Sequence, residues 1–521
     1  MRRRGAPGSL SQSGGGPGVC RASPTGGQLR PRHPPIRPPL SSRKPETSSS
    51  LVPAIHTAAI DLGATSGRVI VGTYNEGRLD LREVHRFPNQ FHTIRERCYW
   101  DVPGLYTRIR QGLLLAAEAE PELASCGVDT WAVDSVLLDA DGRLVFPAHA
   151  YRDERTRPYV DALAKDGIEK VYEWTGIPNQ AINTSLQLQE LLVRYPSLPE
   201  IAQRCLLLSD YYNFLLSGVP ENEISIASST QLLEVGGNRY SREALGFFGI
   251  PRKWFEGPSL AGKRVGPVVA IEALADTQVI LVPGHDTACA FDAMPTDPEH
   301  TDIYLSSGTW SLVGFESDEP VAGPAALEES VSNERIGDGR YRPIRNIMGL
   351  WLLEQLLPSF RERPQSDEEW AELIRSAESE PAPGELIDVT DPGLFNPESM
   401  KEAVDAQLTS RSIRPPDSLS GYTRLICESL GAGHAAAVRT FESLTGKQFD
   451  RILIVGGGSR NRLLCQATAE RAGIPVVSFS LEGTAVGNIA SQLITLGVVR
   501  NLATFRAELL EQLDKQTYEP A

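Results

Sequence analysis

The sequence has few cysteines, no long apolar run and fewer basic than acidic residues. Its seven cysteines stand singly, without a Cys-x-x-Cys pair or a nearby histidine, so the pattern favours reduced thiols over a zinc site or a disulfide framework. No stretch approaches the roughly 18 to 20 apolar residues that cross a bilayer. The net charge of −15 disfavours nonspecific nucleic-acid binding, which depends on excess Lys and Arg. A small-molecule partner and a cytoplasmic location are therefore expected, with neither nucleic acid nor membrane as a partner.

The first 55 residues differ in composition from the rest of the chain. They are rich in Arg, Pro, Gly and Ser, have Glu46 as their one acidic residue and show no apolar period, so disorder is predicted. Two explanations stay open. The segment is either an organelle transit peptide, although its prolines argue against the amphipathic helix of such a signal, or the product of a start assigned too far upstream.

The most informative stretch is AAIDLGATSGRVIVG, residues 58–72, in which an apolar strand carries Asp61 near its end and a small-residue turn leads into a second strand. Gly63 and Gly67 let backbone N–H groups come close to phosphate oxygens. Further donors are supplied by Thr65, Ser66 and Arg68. An ordinary hairpin is the alternative. Residues 303–314, IYLSSGTWSLVG, repeat the pattern, which favours a duplicated core with a nucleotide between its halves.

Other segments give a coarse secondary-structure prediction. Apolar spacing at Leu105, Ile109 and Leu113 predicts a helix that covers one face of the first sheet. The remaining assignments are strands over 79–87 and 223–235, a helix over 345–357 that begins near Asn346, an irregular surface segment over 358–420, a helix over 422–444, and a strand, glycine turn and helix over 451–472.

Residues 126–139, CGVDTWAVDSVLLD, place two acids among apolar neighbours. A buried carboxylate is costly unless it is paired or functional. Asp129 is interpreted as the cap of a polar turn, whereas Asp134 and Trp131 are assigned to a substrate pocket. The charged segment 150–156 is interpreted as a solvated helix start rather than a site.

Asp286 is the candidate catalytic residue. A buried strand, 279–282, ends at Pro-Gly, and a helix of small residues begins at Asp286 or Thr287. An N-cap is the structural alternative, because Asp is a preferred capping residue. His285 and Thr287 add hydrogen-bonding groups, and ligands of α/β proteins bind beyond the carboxyl ends of strands. These features favour a proton acceptor at Asp286, which the helix N-terminus would keep ionised.

Five segments taken together resemble the FGGY carbohydrate kinases over residues 58–495. They are DLGATSGR (61–68), GHDT (284–287), LSSGTWS (305–311), VGGGSRN (455–461) and EGTAVG (482–487). The resemblance implies an α/β fold of two actin-like (ribonuclease-H-like) domains with a nucleotide and sugar cleft between them. It divides the chain into the tail, 1–55, an N-terminal sugar-binding domain, 56–297, and a C-terminal ATP-binding domain, 298–515. Within the family, the kinases that phosphorylate the 1-hydroxyl of L-rhamnulose are the most similar. The segments that carry this similarity are 129–134, 150–153, 304–316 and 346–353.

The resemblance also implies ATP and Mg²⁺ as cofactors and assigns individual residues. The ATP-binding set is Ala64, Thr65, Ser66, Gly67, Arg68, Thr309, Glu354 and Gly457. The sugar-binding set is Ala132, Asp134, His285, Asp286, Thr287 and Asn346. Asp286 is the implied base, and Asp61 the implied Mg²⁺ site, acting through water. Ala132 and Glu354 depart from the pattern, since the most similar kinases carry Gly and Gln at these positions.

Two alternatives to a rhamnulose kinase stay open at this point. One is an FGGY kinase for L-fuculose, xylulose or another polyol, distinguished by the pocket around Ala132, Asp134 and His285. The other is a sugar sensor on the same scaffold that has lost catalysis, although the proton acceptor and both hairpins are present. The expected assembly is a monomer or a homodimer.

Overall fold

The computed structural model of the protein describes residues 53–361, 363–395 and 397–521. The strands are β1 (Ile55–Leu62), β2 (Ser66–Asn75), β3 (Arg78–Pro88), β4 (Phe91–Ile94), β5 (Arg97–Trp100), β6 (Leu123–Thr130), β7 (Ser135–Leu138), β8 (Arg204–Leu207), β9 (Arg264–Pro267), β10 (Gln278–Ile280), β11 (Asp302–Ser307), β12 (Trp310–Gly314), β13 (Ser332–Arg335), β14 (Tyr341–Met348), β15 (Arg451–Val455), β16 (Val476–Phe479) and β17 (Lys515–Tyr518).

The α-helices connect and cover these strands. They are α1 (Val102–Ala119), α2 (Arg157–Lys165), α3 (Ile168–Thr175), α4 (Thr184–Arg194), α5 (Leu198–Ile201), α6 (Leu208–Ser217), α7 (Ile224–Ser228), α8 (Arg242–Phe247), α9 (Asp286–Asp292), α10 (Pro324–Glu328), α11 (Trp351–Leu356), α12 (Asp367–Ser379), α13 (Met400–Ser410), α14 (Leu419–Thr445), α15 (Arg462–Ala472), α16 (Gly483–Leu496) and α17 (Leu502–Leu510). None of the helices in the described ranges is both long and apolar enough to cross a membrane.

The first large sheet has the strand order β3-β2-β1-β6-β10-β9. The predicted hairpin forms its start, since β1 pairs antiparallel with β2, and β2 with β3. Strands β6 and β10 then join β1 in parallel. Helix α1 buries Leu105, Ile109 and Leu113 against one face, as their spacing predicted.

The second large sheet, β13-β14-β12-β11-β15-β16-β17, repeats this arrangement. Strands β11 and β12 form the second predicted hairpin, and β15 joins β11 in parallel, as β6 joins β1. The unit of strand, glycine turn and helix over 451–472 is confirmed, and Gly473 ends α15 in the left-handed conformation. The two halves thus share one strand pattern, as the repeated hairpins predicted.

Helix α16 follows β16 of the second sheet in the chain but packs on the first. Asn488 donates to the carbonyl of Gly127, and Gln492 donates to that of Ala58, on strands β6 and β1. The helix also lies against α9 so closely that a Cβ on Gly487 would fall 1.8 Å from the carbonyl oxygen of Cys289. Only glycine permits this approach, so α16 joins the two halves directly.

Several secondary-structure predictions are wrong. Residues 223–235 contain helix α7 and no named strand, and residues 345–357 combine the end of β14 with the short helix α11. Short apolar runs fit either state, and pairing with β12 determines the outcome for β14. Residues 358–420 hold helices α12 and α13, so they are more regular than predicted. Residues 1–52 of the predicted tail lie outside the described residues. At its other end the prediction is too long, because Ile55 belongs to β1.

Candidate active site

Three parallel strand ends bring the candidate residues to one edge of the first sheet. Asp61 and Asp129 are register partners near the ends of β1 and β6. The next residue, Thr130, donates its N–H to the carbonyl of Gly284 at 2.9 Å, just before His285 and Asp286. This edge therefore gathers carboxylates contributed by segments that lie more than two hundred residues apart.

Asp286 is the first residue of α9, as predicted, and its side chain keeps 28% of its surface exposed. Its Oδ1 atom accepts a hydrogen bond from Thr287 Oγ1 at 3.0 Å and lies 3.4 Å from Nε2 of His285. Among the described residues, no side chain donates to Oδ2. One oxygen is thus held by the protein while the other is open to accept a proton.

Glu223, a residue that the sequence reading did not single out, supports the backbone in front of Asp286. Its Oε2 accepts from the N–H of Gly284 at 2.8 Å and from the backbone and hydroxyl of Ser225 at 2.9 and 2.6 Å. Ser225 Oγ in turn accepts from the N–H of His285 at 3.3 Å. Burial raises the pKa of Glu223 to about 7, although these donors oppose the shift.

Glu223→Gln is expected to be more stable than the wild type at pH 8, and this advantage should be smaller at pH 5. The pKa of Glu223 in the folded state, about 7, exceeds its ordinary value of 4.5, so folding favours the protonated form and wild-type stability falls as the pH rises between these values. Glutamine keeps the acceptor oxygen without the charge. The difference in unfolding free energy between variant and wild type should grow by about 3 kcal/mol over this interval in urea titrations. Parallel pH profiles for the two proteins would contradict this role; Glu372→Gln, at an exposed position, is the control.

The loop that follows β6, residues 131–134, is strained and tightly held. Asp134 donates its N–H to the carbonyl of Ala132 at 2.9 Å, which closes a three-residue turn with Val133 at a φ of 69°. This conformation is unfavourable for a β-branched residue and is typical of functional sites. Thr184 stabilises it by donating its hydroxyl to the carbonyl of Val133 at 2.6 Å.

The Asp134 carboxylate is fully buried and surrounded by donors. Its Oδ2 accepts from the indole nitrogens of Trp100 and Trp131 at 2.6 and 2.9 Å and from the N–H of Tyr151 at 3.2 Å, and its Oδ1 accepts from Gln187 at 3.1 Å. Burial raises its pKa in spite of these bonds. Asp134 therefore orients the two indoles, whose ring centroids lie 4.4 Å apart.

Two predictions about charged residues nearby are wrong. Asp129 does not cap a turn: it lies within β6, fully buried, where Asn488 donates to Oδ2 at 2.7 Å. Burial and then the neighbouring Asp61 raise its pKa well above the ordinary value. The segment 150–156 is not a solvated helix start, because Asp153 and Arg155 are buried and bonded to Cys98 and Gln187.

In the first hairpin, Arg68 links the two halves of the chain. Its guanidinium bonds Asp61 Oδ2 at 2.5 Å and Glu482 Oε2 at 2.6 Å, and Glu482 immediately precedes α16. Burial raises the pKa of Asp61, and the attraction of Arg68 only partly offsets this effect. The turn itself is closed by the N–H of Gly63, which donates to the carbonyl of Ser66 at 2.9 Å. Ala64 is half-buried and Thr65 exposed in this turn, whereas Gly67 is buried in β2.

The second hairpin and the glycine turn lie side by side. A Cβ on Gly458 would fall 2.0 Å from the hydroxyl of Ser307, at the end of β11, whereas a Cβ on the exposed Gly457 would meet no atom within 4 Å. Thr309 is half-buried at the hairpin tip, and its carbonyl accepts from the N–H of Gly349 at 3.2 Å. Asn346 lies on β14 opposite Leu312 of β12, and its buried Oδ1 has no hydrogen-bond partner among the described residues.

Glu354, the acidic departure from the family pattern, lies on α11 close to a cation. Burial raises its pKa, and Arg152 acts in the opposite direction. The Arg152 guanidinium lies 4.9 Å from the ring centroid of Trp351, also on α11, and 5.2 Å from that of Tyr151. Arg152 thus offsets only part of the cost of burying an acid at this position.

The residues at the sheet edge fit a hydrated Mg²⁺ better than a metal held by protein ligands alone. Within the described ranges, no cluster of three or more His, Cys, Asp or Glu side chains has the geometry to hold a metal. Mg²⁺ is commonly bound through one or two carboxylates and keeps several waters. Asp61, whose Oδ1 makes no hydrogen bond within the described part of the chain, meets this requirement.

Comparison with known proteins agrees with this geometry. The family model of the FGGY carbohydrate kinases matches the chain in both parts, the N-terminal domain over residues 56–291 and the C-terminal domain over residues 303–496. A rhamnulokinase from Klebsiella pneumoniae subsp. pneumoniae is 37% identical over 468 residues, which cover 89% of this chain and 94% of that protein.

Solved structures extend the comparison to the fold. A gluconate kinase from Lactobacillus acidophilus superposes with a TM-score of 0.74 at 15% identity, covering 90% of this chain and 94% of its own. A ligand-bound xylulose kinase from the same organism gives a TM-score of 0.74 at 16% identity, over 89% and 94% of the two chains. The expected α/β fold of two actin-like domains is therefore confirmed. The chain belongs to the FGGY family of carbohydrate kinases and is a phosphotransferase that acts on an alcohol group.

Proposed function

We propose that the protein transfers the γ-phosphoryl group of MgATP to the 1-hydroxyl of L-rhamnulose, giving L-rhamnulose 1-phosphate and ADP. The observation that carries the proposal is Asp286, with Oδ1 bonded by Thr287 and Oδ2 open at the edge where the first hairpin of the first sheet ends. The choice of sugar rests on the 37% identity to a rhamnulokinase over 94% of that protein's length.

The proposed roles divide between the halves of the chain. The sugar lies against residues 56–297, near Ala132, His285, Asp286 and Thr287. Asn346 reaches it from β14 through its Oδ1, which has no partner in the described part of the chain. Asp134 acts through Trp131 and Trp100, because its own acceptors are occupied. The nucleotide lies against residues 298–515, at Thr309, Glu354 and Gly457, and its phosphates face Ala64 to Arg68.

In the reaction, Asp286 Oδ2 accepts the proton of the sugar hydroxyl as the oxygen forms its bond to the γ-phosphorus. The bond from that phosphorus to the bridging oxygen breaks, and ADP leaves with the electron pair. Bound Mg²⁺ supplies charge neutralisation on the phosphate oxygens. Because the transition state is loose, positioning by the two hairpins contributes more than the strength of the base. Arg68 is placed to exchange its bond with Asp61 or Glu482 for a phosphate oxygen.

A coupled ADP-release assay with MgATP tests the substrate. The full chain is compared on L-rhamnulose, L-fuculose, D-xylulose, L-ribulose and glycerol. The highest kcat/KM is expected for L-rhamnulose. Preference for another ketose would leave the kinase intact and make the methyl group of Ala132 the specificity determinant to examine. Absence of ADP release with every sugar would overturn the proposed function and favour a sugar sensor.

Thr309→Val is expected to raise the KM for ATP about tenfold, while the KM for the sugar changes little. Valine keeps the shape but removes the hydroxyl at the hairpin tip, and a hydrogen bond to a charged group contributes about 1.5 to 3 kcal/mol. Initial rates with varied ATP at saturating sugar measure the effect. Thr409→Val, an exposed substitution on α13, is the matched control. An unchanged KM for ATP would remove Thr309 from the nucleotide site.

A further inference from the structure

A buried pair of charges on the second sheet reaches the histidine beside the proposed base. Glu334 lies on β13 and Arg342 on β14, and the Arg342 side chain is completely buried. One guanidinium nitrogen, Nη2, bonds both Oε2 of Glu334 and Nδ1 of His285. Burial acts to raise the pKa of Glu334, but the Arg342 guanidinium, His285 and the hydrogen bond from Ser332 together outweigh it, and the pKa falls to about 2. Glu334 is therefore the ionised counter-charge of Arg342.

The contact with Arg342 determines which nitrogen of His285 carries the proton. A guanidinium has donors and no acceptor, so Nδ1 must present its lone pair to it. Oε2 of Glu334 lies 3.0 Å from the same Nδ1. In the competing tautomer, the hydrogen on Nδ1 would crowd the guanidinium nitrogen, which already carries its own two hydrogens. The contact therefore favours the tautomer with its proton on Nε2, which lies 3.4 Å from Asp286 Oδ1.

We propose that Arg342 is a positioning residue, which fixes His285 in the Nε2–H tautomer so that His285 and Thr287 together hold Oδ1 of Asp286. Oδ2 is then the oxygen left to take the proton of the sugar hydroxyl. This inference rests on the proposed role of Asp286 as the base. Glu334 keeps Arg342 in place, because a buried guanidinium without a counter-charge is unfavourable.

Arg342 and the proposed base come from different halves of the chain. His285 and Asp286 follow the first sheet, whereas β13 and β14 form the edge of the second. The same edge contacts α7, where the N–H of Arg335 donates to Ser228 Oγ at 2.9 Å. The second half of the chain thus orients the base carried by the first, and a change in their relative placement would alter the base directly.

A double-mutant cycle tests the proposal through catalysis. Removing both charges with Glu334→Gln and Arg342→Met avoids an unpaired buried charge, since buried ion pairs are often replaced without loss of folding. In the His285 background we expect this paired change to lower kcat by about ten- to a hundredfold, the range typical for residues that orient a functional group. The same paired change is then made in the His285→Gln variant. The glutamine amide presents an N–H and has no tautomer to fix, so the orienting contact is no longer needed. There the paired change should lower kcat by less than about twofold.

The matched control is the distant, partly buried pair of Arg451 and Asp302, bonded at 2.6 Å between β15 and β11. Asp302→Asn should lower the melting temperature while leaving kcat unchanged. Equal losses from the paired change in both His285 backgrounds would overturn the positioning role, with the kinase activity of the wild type intact. Absence of sugar-dependent turnover in the wild type would instead overturn the proposed function and, with it, this inference.

A spectroscopic measurement does not depend on turnover. In protein labelled with ¹⁵N-histidine, long-range ¹H–¹⁵N spectra distinguish the two neutral tautomers, and the signal missing from His285→Gln identifies His285. The wild type should show a proton on Nε2, and the paired Glu334 and Arg342 variant should show a mixture. A proton on Nδ1 in the wild type would overturn the assignment to Arg342 and would make Glu334 the partner of the ring.

Discussion

Asp286→Asn is expected to lower turnover by about 10² to 10⁴, the contribution usual for a positioned general base, while sugar affinity changes little. Asparagine retains an oxygen for the hydrogen bond from Thr287, so the loop before α9 keeps its geometry. The lost group is the open carboxylate oxygen that takes the proton. Steady-state kcat with saturating MgATP, together with calorimetric titration of the sugar, measures both quantities.

The control for this prediction is Asp276→Asn, at an exposed acid shortly before β10. It should leave both turnover and affinity unchanged. If Asp286→Asn turned over at the wild-type rate, another group would have to accept the proton. If sugar affinity fell in parallel with turnover, Asp286 would bind the ground state rather than act in the transition state.

Sequence alone predicted the parts of the fold that local signals specify. The turn residues Gly63 and Gly308 mark two hairpins, and both hairpins are found as expected. The helix start at Asp286 follows from the preceding Pro-Gly and was also correct. Such features depend on a few neighbouring residues, so the pattern along the chain is sufficient.

The rest could not be predicted because it depends on contacts between distant segments. Asn346 follows an apolar pattern that fits a helix, but pairing with β12 makes its segment a strand. Asp129 was interpreted as a cap because its partner, Asn488, lies 359 residues further along the chain. Glu223 and Arg342 carry no local motif, and their link to the loop before α9 is visible only in the folded chain.

Asp61 and Arg68 form the second site at which a substitution should have a large effect. Asp61 is 6% exposed, and Arg68 is its cationic partner across the hairpin. Arg68 also bonds Glu482, so it neutralises acids from both halves of the chain. A metal ion bound with the nucleotide would take over the neutralisation of Asp61 and release Arg68 toward the phosphates. The charge on Asp61, rather than its shape, is therefore the property that matters.

Asp61→Asn should lower kcat by about 10² or more and raise the Mg²⁺ concentration needed for half-maximal rate, because a metal contributes several kcal/mol to the stabilisation of transferring phosphates. Mn²⁺ titration followed by electron paramagnetic resonance, in the presence of a non-hydrolysable ATP analogue, should show weaker binding by the same variant. Glu482→Gln is the matched control: it removes the other partner of Arg68 and should leave metal affinity unchanged. Equal metal affinity in Asp61→Asn and wild type would show that the carboxylate acts only as a partner of Arg68, and the metal site would have to be sought elsewhere along the sheet edge.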